Sequence, residues 1–254
     1  MARFDNKIVL VTGAANGIGR CMVKCFLAEG AEKLVAVDIE HDTLEDAFGD
    51  EDRVHTIPCD ITDYDAVHRM VDEAVERFGR IDILMNNAGI SIKDGQKYGM
   101  LTCPKDAWDR VIATNVNGSF YVAQAVAQAM VAKKTKGVIV NTSSNTFRFI
   151  PKYLGAYPAS KAAIAVFTKQ FAKELAEYDI RQRVRTRHDE NPHERADAFE
   201  PAHERAVLER YSHTPLRRSE GGRGCGAVPR FGRVFLHVGG DRLRGWWAEP
   251  LAVR

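Results

Sequence analysis

Between Lys7 and Arg181, short and nearly unbroken apolar runs alternate with longer stretches whose apolar residues recur at i, i+3 and i+4. The first pattern belongs to strands covered on both faces, the second to helices with one buried side. Strands are predicted over 8–12, 33–37, 54–57, 81–85 and 137–141, and helices over 19–29, 63–78, 108–132 and 156–178. A βαβαβ series continued by further α/β units requires a parallel sheet with crossover helices. The pattern stops after Ile180: no isoleucine follows, no clear strand is predicted before 234–238, and glycine and arginine crowd residues 217–226. One domain is therefore expected over 1–181, followed by an atypical, poorly ordered tail over 182–254.

Composition adds bounds. A chain of 254 residues with 45% hydrophobic content can bury one sizeable core and is short for two full domains. No run approaches the roughly 18 apolar residues of a membrane span. The polar start, Met1 to Lys7, lacks a signal-peptide layout, and five cysteines without a CxxC pair read as reduced thiols, so the cytoplasm is the expected compartment. The net charge of +2 conceals an asymmetry: residues 182–254 carry 14 Arg, no Lys and 10 acidic residues, whereas the remainder carries 22 basic and 24 acidic residues.

Chemistry concentrates at the strand ends. Thr12-Gly-Ala-Ala-Asn-Gly-Ile-Gly19 follows the first strand and opens the first helix. Its glycines permit a tight turn and close approach to a ligand, and the free N–H groups of a helix start favour a pyrophosphate. Asp38 closes the second strand, where a carboxylate accepts from ribose hydroxyls and repels a 2′-phosphate, favouring NAD over NADP. Tyr157 and Lys161 are four apart on a helical pattern and share a face, with Pro158 suited to the first turn. An ammonium beside a phenol stabilises the phenolate and lowers its pKa from a reference of about 10, which fits Tyr157 for general acid/base work. Cys21 and Cys25 are i, i+4 but have no His or carboxylate arranged beside them, and the eight histidines form no HExxH, so no metal is expected.

The glycine spacing resembles the TGxxxGxG of the short-chain dehydrogenase/reductase family. Four further segments carry the resemblance in the family's order: Cys59-Asp60-Ile61, Asn86-Asn87-Ala88-Gly89, Thr114-Asn115-Val116-Asn117-Gly118, and Ser143-Ser144 followed by Tyr157-Pro-Ala-Ser-Lys161. It covers residues 7 to about 181. The resemblance implies an α/β fold, a Rossmann-type doubly wound parallel sheet in three α/β/α layers, here with an irregular C-terminal tail. It also implies an NAD-dependent oxidoreductase that interconverts a secondary alcohol and a ketone, assembled as a homo-oligomer (tetramer or dimer), with neither nucleic acid nor membrane as a partner. By resemblance Asn115, Ser144, Tyr157 and Lys161 are catalytic. Cofactor contacts fall to Gly13, Asn16, Gly17, Ile18, Gly19, Asp38, Asp60, Ile61, Asn87, Ala88 and Gly89, joined by Tyr157 and Lys161. Asp60 would meet the adenine, Lys161 the nicotinamide ribose, and Ser144, better spaced from Tyr157 than the structural Ser143, the substrate oxygen. Asn115 would hold a water joining Lys161 to solvent, satisfy backbone groups at a helix irregularity, or both. The substrate-side segments, 90–95 and 146–154, are aromatic and aliphatic and point to a partly apolar substrate, while Arg148 reads as a solvated loop residue or an anion contact.

After Arg181 the family continues Val-Asn-Ala-x-x-Pro-Gly, whereas this chain reads Gln182-Arg-Val-Arg-Thr-Arg187. One permitted codon set, CAA CGC GTA CGA ACC CGG C, read one base later gives Asn-Ala-Tyr-Glu-Pro-Gly. The same offset applied to residues 221–231 permits Glu-Val-Ala-Gly-Ala-Val-Pro-Phe-Leu-Ala, which resembles the family's late helix. Two matches at one offset make a frameshifted dehydrogenase C-terminus, from a sequencing error or a real mutation, the expectation for residues 182–254. The alternative, an authentic basic tail for nucleic acid or acidic lipid, is opposed by its 10 acidic residues. A tail authentic as written would leave the domain without its sixth and seventh strands.

Overall fold

The computed structural model describes residues 3–92, 98–147 and 149–187. The strand predicted over 234–238, the Gly/Arg-rich stretch, Cys225 and Arg148 lie outside the described residues. Six strands form one parallel sheet: β1 Ile8–Thr12, β2 Lys33–Asp38, β3 Val54–Pro58, β4 Ile83–Asn86, β5 Val138–Ser144 and β6 Arg181–Arg187, in the order β3-β2-β1-β4-β5-β6. Helices α1 Gly17–Ala28, α2 His41–Phe48, α3 Tyr64–Phe78, α4 Lys105–Ile112, α5 Ser119–Ala132 and α6 Tyr157–Glu174 connect them. The chain runs outward from β1 to β3 and then crosses to β4, so the direction of winding reverses between β1 and β4. In doubly wound sheets, ligands bind beyond the carboxyl ends of the strands at that reversal.

Strand alternation divides the core in two. Leu10, Val35, Leu84 and Ile139 pack with Val67 and Met70 of α3 and Val122 and Val126 of α5. On the other face Val9, Val11, Leu34 and Ala36 pack with Met22 and Val23 of α1 and Leu44 of α2. Burial of such side chains is the main favourable term in folding. Local signals set the ends: Asp63 caps α3 by accepting from Ala66 N at 3.0 Å, and Gly79, at φ 82°, ends it.

Three elements depart from the sequence expectation. The helix predicted over 108–132 is three pieces, α4, a π-helical turn Ala113–Gly118 and α5. Helix α2 was not predicted, because its apolar face is only Leu44 and Phe48. The sixth strand is present: β6 pairs with β5 in parallel from Val138↔Arg181 to Ser144↔Arg187 and crosses the boundary expected at 181. Backbone bonds carry this pairing, and Gln182 assists by accepting from Asn141 Nδ2 at 3.3 Å. Arg183 and Arg185 stand opposite Val140 and Thr142. Partners in a ladder share a face, so these arginines occupy the face on which Val140 packs against the α1 side of the core.

Candidate active site

The turn after β1 passes through Gly13 at φ 69° and Gly17 at φ 52°, left-handed conformations natural to glycine. A Cβ at Gly19 would land on the Gly13 carbonyl oxygen, so the turn closes only without a side chain there. At Gly17, by contrast, the space a Cβ would take is open. Asn16, the N-cap of α1, makes no side-chain cap bond and instead donates through Nδ2 to Glu40 Oε2 at 2.8 Å. The amino end of α1 thus faces an open cradle suited to an anion, which fits a dinucleotide's pyrophosphate. Ile18 packs partly buried onto the α1 side of the core.

At the end of β2, Asp38 accepts from Ala15 N at 2.9 Å and from Glu40 N at 3.2 Å. It therefore anchors the glycine turn to the next strand. Thr12 ties β1 to β4: its hydroxyl oxygen accepts from Asn87 N at 3.0 Å and Ala88 N at 3.1 Å, and Asn87 Nδ2 donates to Thr12 O at 3.3 Å. Asp60 is exposed and accepts from the Thr62 amide and hydroxyl. Ile61 is buried against Gly118, where a Cβ would come within 2.8 Å of its side chain.

Asn115, fully buried in the π-turn, organises the second half of the site. Its Oδ1 accepts from Ile90 N at 2.7 Å, and its Nδ2 donates to Ile90 O at 2.8 Å and Ser160 Oγ at 3.0 Å. The Ser160 hydroxyl donates in turn to Tyr157 O at 2.7 Å. Lys161 is buried, donates to Thr142 O at 3.0 Å, and holds its ammonium 5.6 Å from the centre of the Tyr157 ring. A Cβ on Gly89 would stand 3.0 Å from Asn115 Oδ1 and 3.3 Å from Lys161 Nζ. Gly89, Asn115, Tyr157 and Lys161 therefore converge. The two serines separate by alternation: Ser143 donates to Lys161 O at 2.6 Å, whereas Ser144 accepts from Thr146 N at 3.2 Å, an arrangement that leaves its proton for another acceptor.

Sequence reasoning missed Glu40, Ser160 and the Ile90 backbone. Ser160 lies inside the Tyr157-to-Lys161 motif and could have been noticed there; the Ile90 amide and carbonyl carry no sequence signal. Among the described residues no three His, Cys, Asp or Glu are placed to hold a metal, and no helix is long and apolar enough to cross a membrane. Burial, with Asp60 and Asp63 adding to it, pushes the Cys59 thiol up to about 11, and burial also raises Cys25. Both thiols stay protonated at neutral pH.

The short chain dehydrogenase family model matches residues 7–185, and the chain belongs to that family of oxidoreductases, which use nicotinamide cofactors. It is 38% identical over 183 residues to the 3-oxoacyl-[acyl-carrier-protein] reductase FabG of Thermotoga maritima, covering 70% of this chain and 72% of that one. It is 35% identical to short chain aldehyde dehydrogenase 1 of Euphorbia lathyris, over 70% of this chain and 62% of that one. Among solved structures it resembles NAD+-bound xylitol dehydrogenase, with a TM-score of 0.68 and 34% identity over 72% of this chain and 70% of that one. The family match ends within β6.

Proposed function

We propose that the protein moves a hydride between a secondary alcohol, or its ketone, and NAD, with Tyr157 exchanging the proton. The observation that carries this reading is the convergence of Gly89, Asn115, Tyr157 and Lys161 beyond the carboxyl ends of β4 and β5. With its pyrophosphate held at the Gly13–Gly19 turn, a bound dinucleotide would supply the nicotinamide carbon that gives or takes the hydride. The chain's own groups do the rest. The Ser144 hydroxyl donates to the substrate oxygen and fixes its direction. The Tyr157 hydroxyl delivers a proton to that oxygen as hydride reaches the carbon, and in oxidation the phenolate removes it. The Lys161 ammonium favours the phenolate by charge. Asn115 holds the Ile90 segment and the Ser160 turn in place, and in this reading also orders a water through which the proton reaches solvent.

Asp38 and Glu40 favour NAD over NADP, and the xylitol dehydrogenase likeness, a structure with NAD+ bound, supports the same choice. The compartment in this reading is the cytoplasm and the assembly a homo-oligomer. NADH formation across a panel of secondary alcohols tests the activity. Tyr157→Phe is expected to lower turnover roughly 10²- to 10⁴-fold; unchanged turnover overturns the assignment.

Residues 182–254 are, in the same reading, an out-of-frame segment following a catalytic domain of 1–181. β6 supports this: Arg183 stands opposite Val140, on the face that packs against the α1 side of the core, and its partial burial holds its pKa down. This observation also favours a second reading for the polypeptide as written, a catalytically silent NAD-binding protein. NAD binding without turnover of any alcohol would select it.

A further inference from the structure

We infer that Asn141, Ser143 and Thr168 are positioning residues: they fasten α6 to β5 at two points and so fix where the Tyr157 hydroxyl stands relative to the Ser144 hydroxyl. The catalytic consequence rests on the hydride-transfer reading above, in which none of the three touches a reacting atom.

Both points come from one face of β5 and one face of α6. Asn141 and Ser143 are two apart on the strand and point to the same side. Ser143 Oγ donates to Lys161 O at 2.6 Å, and Asn141 Nδ2 donates to Thr168 Oγ1 at 3.0 Å. The Thr168 hydroxyl donates in turn to Ile164 O at 2.6 Å. Lys161 and Thr168 are two turns apart on α6. Asn141, Ser143 and Thr168 are all buried, so water does not compete for these bonds. Asn141 is itself held from the other side: its Oδ1 accepts from Asn86 Nδ2 at 2.9 Å, and Asn86 Nδ2 also donates to Ser119 O at 2.7 Å. The anchor for Thr168 therefore reaches through β5 to β4 and α5.

Apolar burial is non-directional, whereas a hydrogen bond fixes both distance and angle. The buried residues of α6 are Pro158, Ser160, Lys161, Ile164, Ala165 and Thr168, and Ile164 is the one large aliphatic side chain among them. The bonds at Lys161 and Thr168 thus set the rotation of α6 about its own axis. One point would leave a pivot; two points about 10 Å apart along the axis resist rolling and sliding together.

The groups that meet the substrate divide between the two elements so joined. Ser144 ends β5, while Tyr157 and Lys161 ride on α6. A roll of α6 carries Tyr157 and Lys161 together and changes their distance from Ser144. A roll of about 10° moves a group about 6 Å from the helix axis by about 1 Å. Misplacement by about 1 Å costs on the order of 10²-fold in rate. Thr168 lies three turns beyond Tyr157, so it acts through the helix alone.

The test uses three variants of the full-length chain. Thr168→Val removes the hydroxyl at nearly constant shape and leaves Asn141 Nδ2 a second acceptor, Gln182 Oε1 at 3.3 Å. Thr168→Ser keeps the hydroxyl, and Ser143→Ala releases the other point and carries the test if Thr168→Val does not fold. Crystal structures give the Tyr157 position relative to β5, kinetics on the best alcohol of the panel give kcat and its pH profile, and calorimetry gives NAD affinity. Thr168→Val and Ser143→Ala are each expected to displace the Tyr157 hydroxyl by about 1 Å and to lower kcat about 10- to 100-fold. NAD affinity and the apparent pKa of the profile are expected to stay unchanged, because the glycine turn is untouched and Tyr157 moves with Lys161. Thr168→Ser is expected to restore both position and rate. A hydroxyl that stays in place in Thr168→Val and Ser143→Ala overturns the inference, and so does an unchanged kcat in a protein that Tyr157→Phe disables. If Tyr157→Phe turns over normally, the hydride-transfer reading falls instead, and the crystallographic displacement alone decides the fastening.

Discussion

At the end of β2 two carboxylates serve different ends. Asp38 spends both oxygens on backbone, holding Ala15 N and Glu40 N, and so shapes the glycine turn. Glu40 is exposed and reaches only the Asn16 amide, leaving its charge beside the place where an adenosine ribose would lie. A phosphate of about two charges some 5 Å from one carboxylate in water is repelled by roughly 1.7 kcal/mol, or more than tenfold in affinity before salt screening. Glu40→Gln is therefore expected to tighten adenosine 2′,5′-bisphosphate about tenfold at low salt while leaving ADP unchanged. Asp38→Asn is expected to weaken both, because it loosens the turn. Calorimetric titration of the two nucleotides separates these outcomes, and equal changes for Glu40→Gln with both ligands would refute its role in discrimination.

The π-turn between α4 and α5 shows what an element contributes beyond its length. Widening the helix by one turn brings Asn115 to bear on Ile90 and Ser160 together, three hydrogen bonds from one amide. Asn115→Ala would leave buried partners unpaired, at about 1–3 kcal/mol for each that water does not reach. We expect a loss of at least about 2 kcal/mol in urea unfolding together with lost turnover. Lost turnover at undiminished stability would assign Asn115 to proton relay alone. The residue was legible from its motif, but the bulge was not, since i, i+3, i+4 spacing runs unbroken through 108–132 and hides one extra residue per turn. Strands β1 to β5 were legible because short β-branched apolar runs alternate with longer helical patterns, even at β3, where His55 and Thr56 interrupt the run. β6 was not, because its arginines mask a pattern that the backbone still satisfies. The choice between Ser143 and Ser144 rested on spacing in the sequence; strand alternation now supplies a physical reason, sending the former to α6 and the latter away from it.

For the molecule as a whole, the decisive conflict lies along β6. On one face of that strand Gln182 Oε1 accepts from the buried Asn141 amide, which in turn accepts from Asn86 and so bridges β4 and β5. The other places Arg183 opposite Val140 and Arg185 opposite Thr142, on the face that Val140 turns to the α1 side of the core. Natural sequences seldom sustain such a disagreement between local residue and global site. The one-base offset removes it, since Asn-Ala-Tyr-Glu-Pro-Gly carries no arginine. If the frame is broken near Gln182, sequencing the coding DNA will show the missing or extra base. The protein expressed in the restored frame should then unfold at a higher temperature than the protein as written. It should also sediment as an oligomer, the assembly proposed above. An uninterrupted frame, with protein as written unfolding cooperatively at an equal or higher temperature, would make the tail authentic. The arginines of β6 would then be a feature of this protein's own fold.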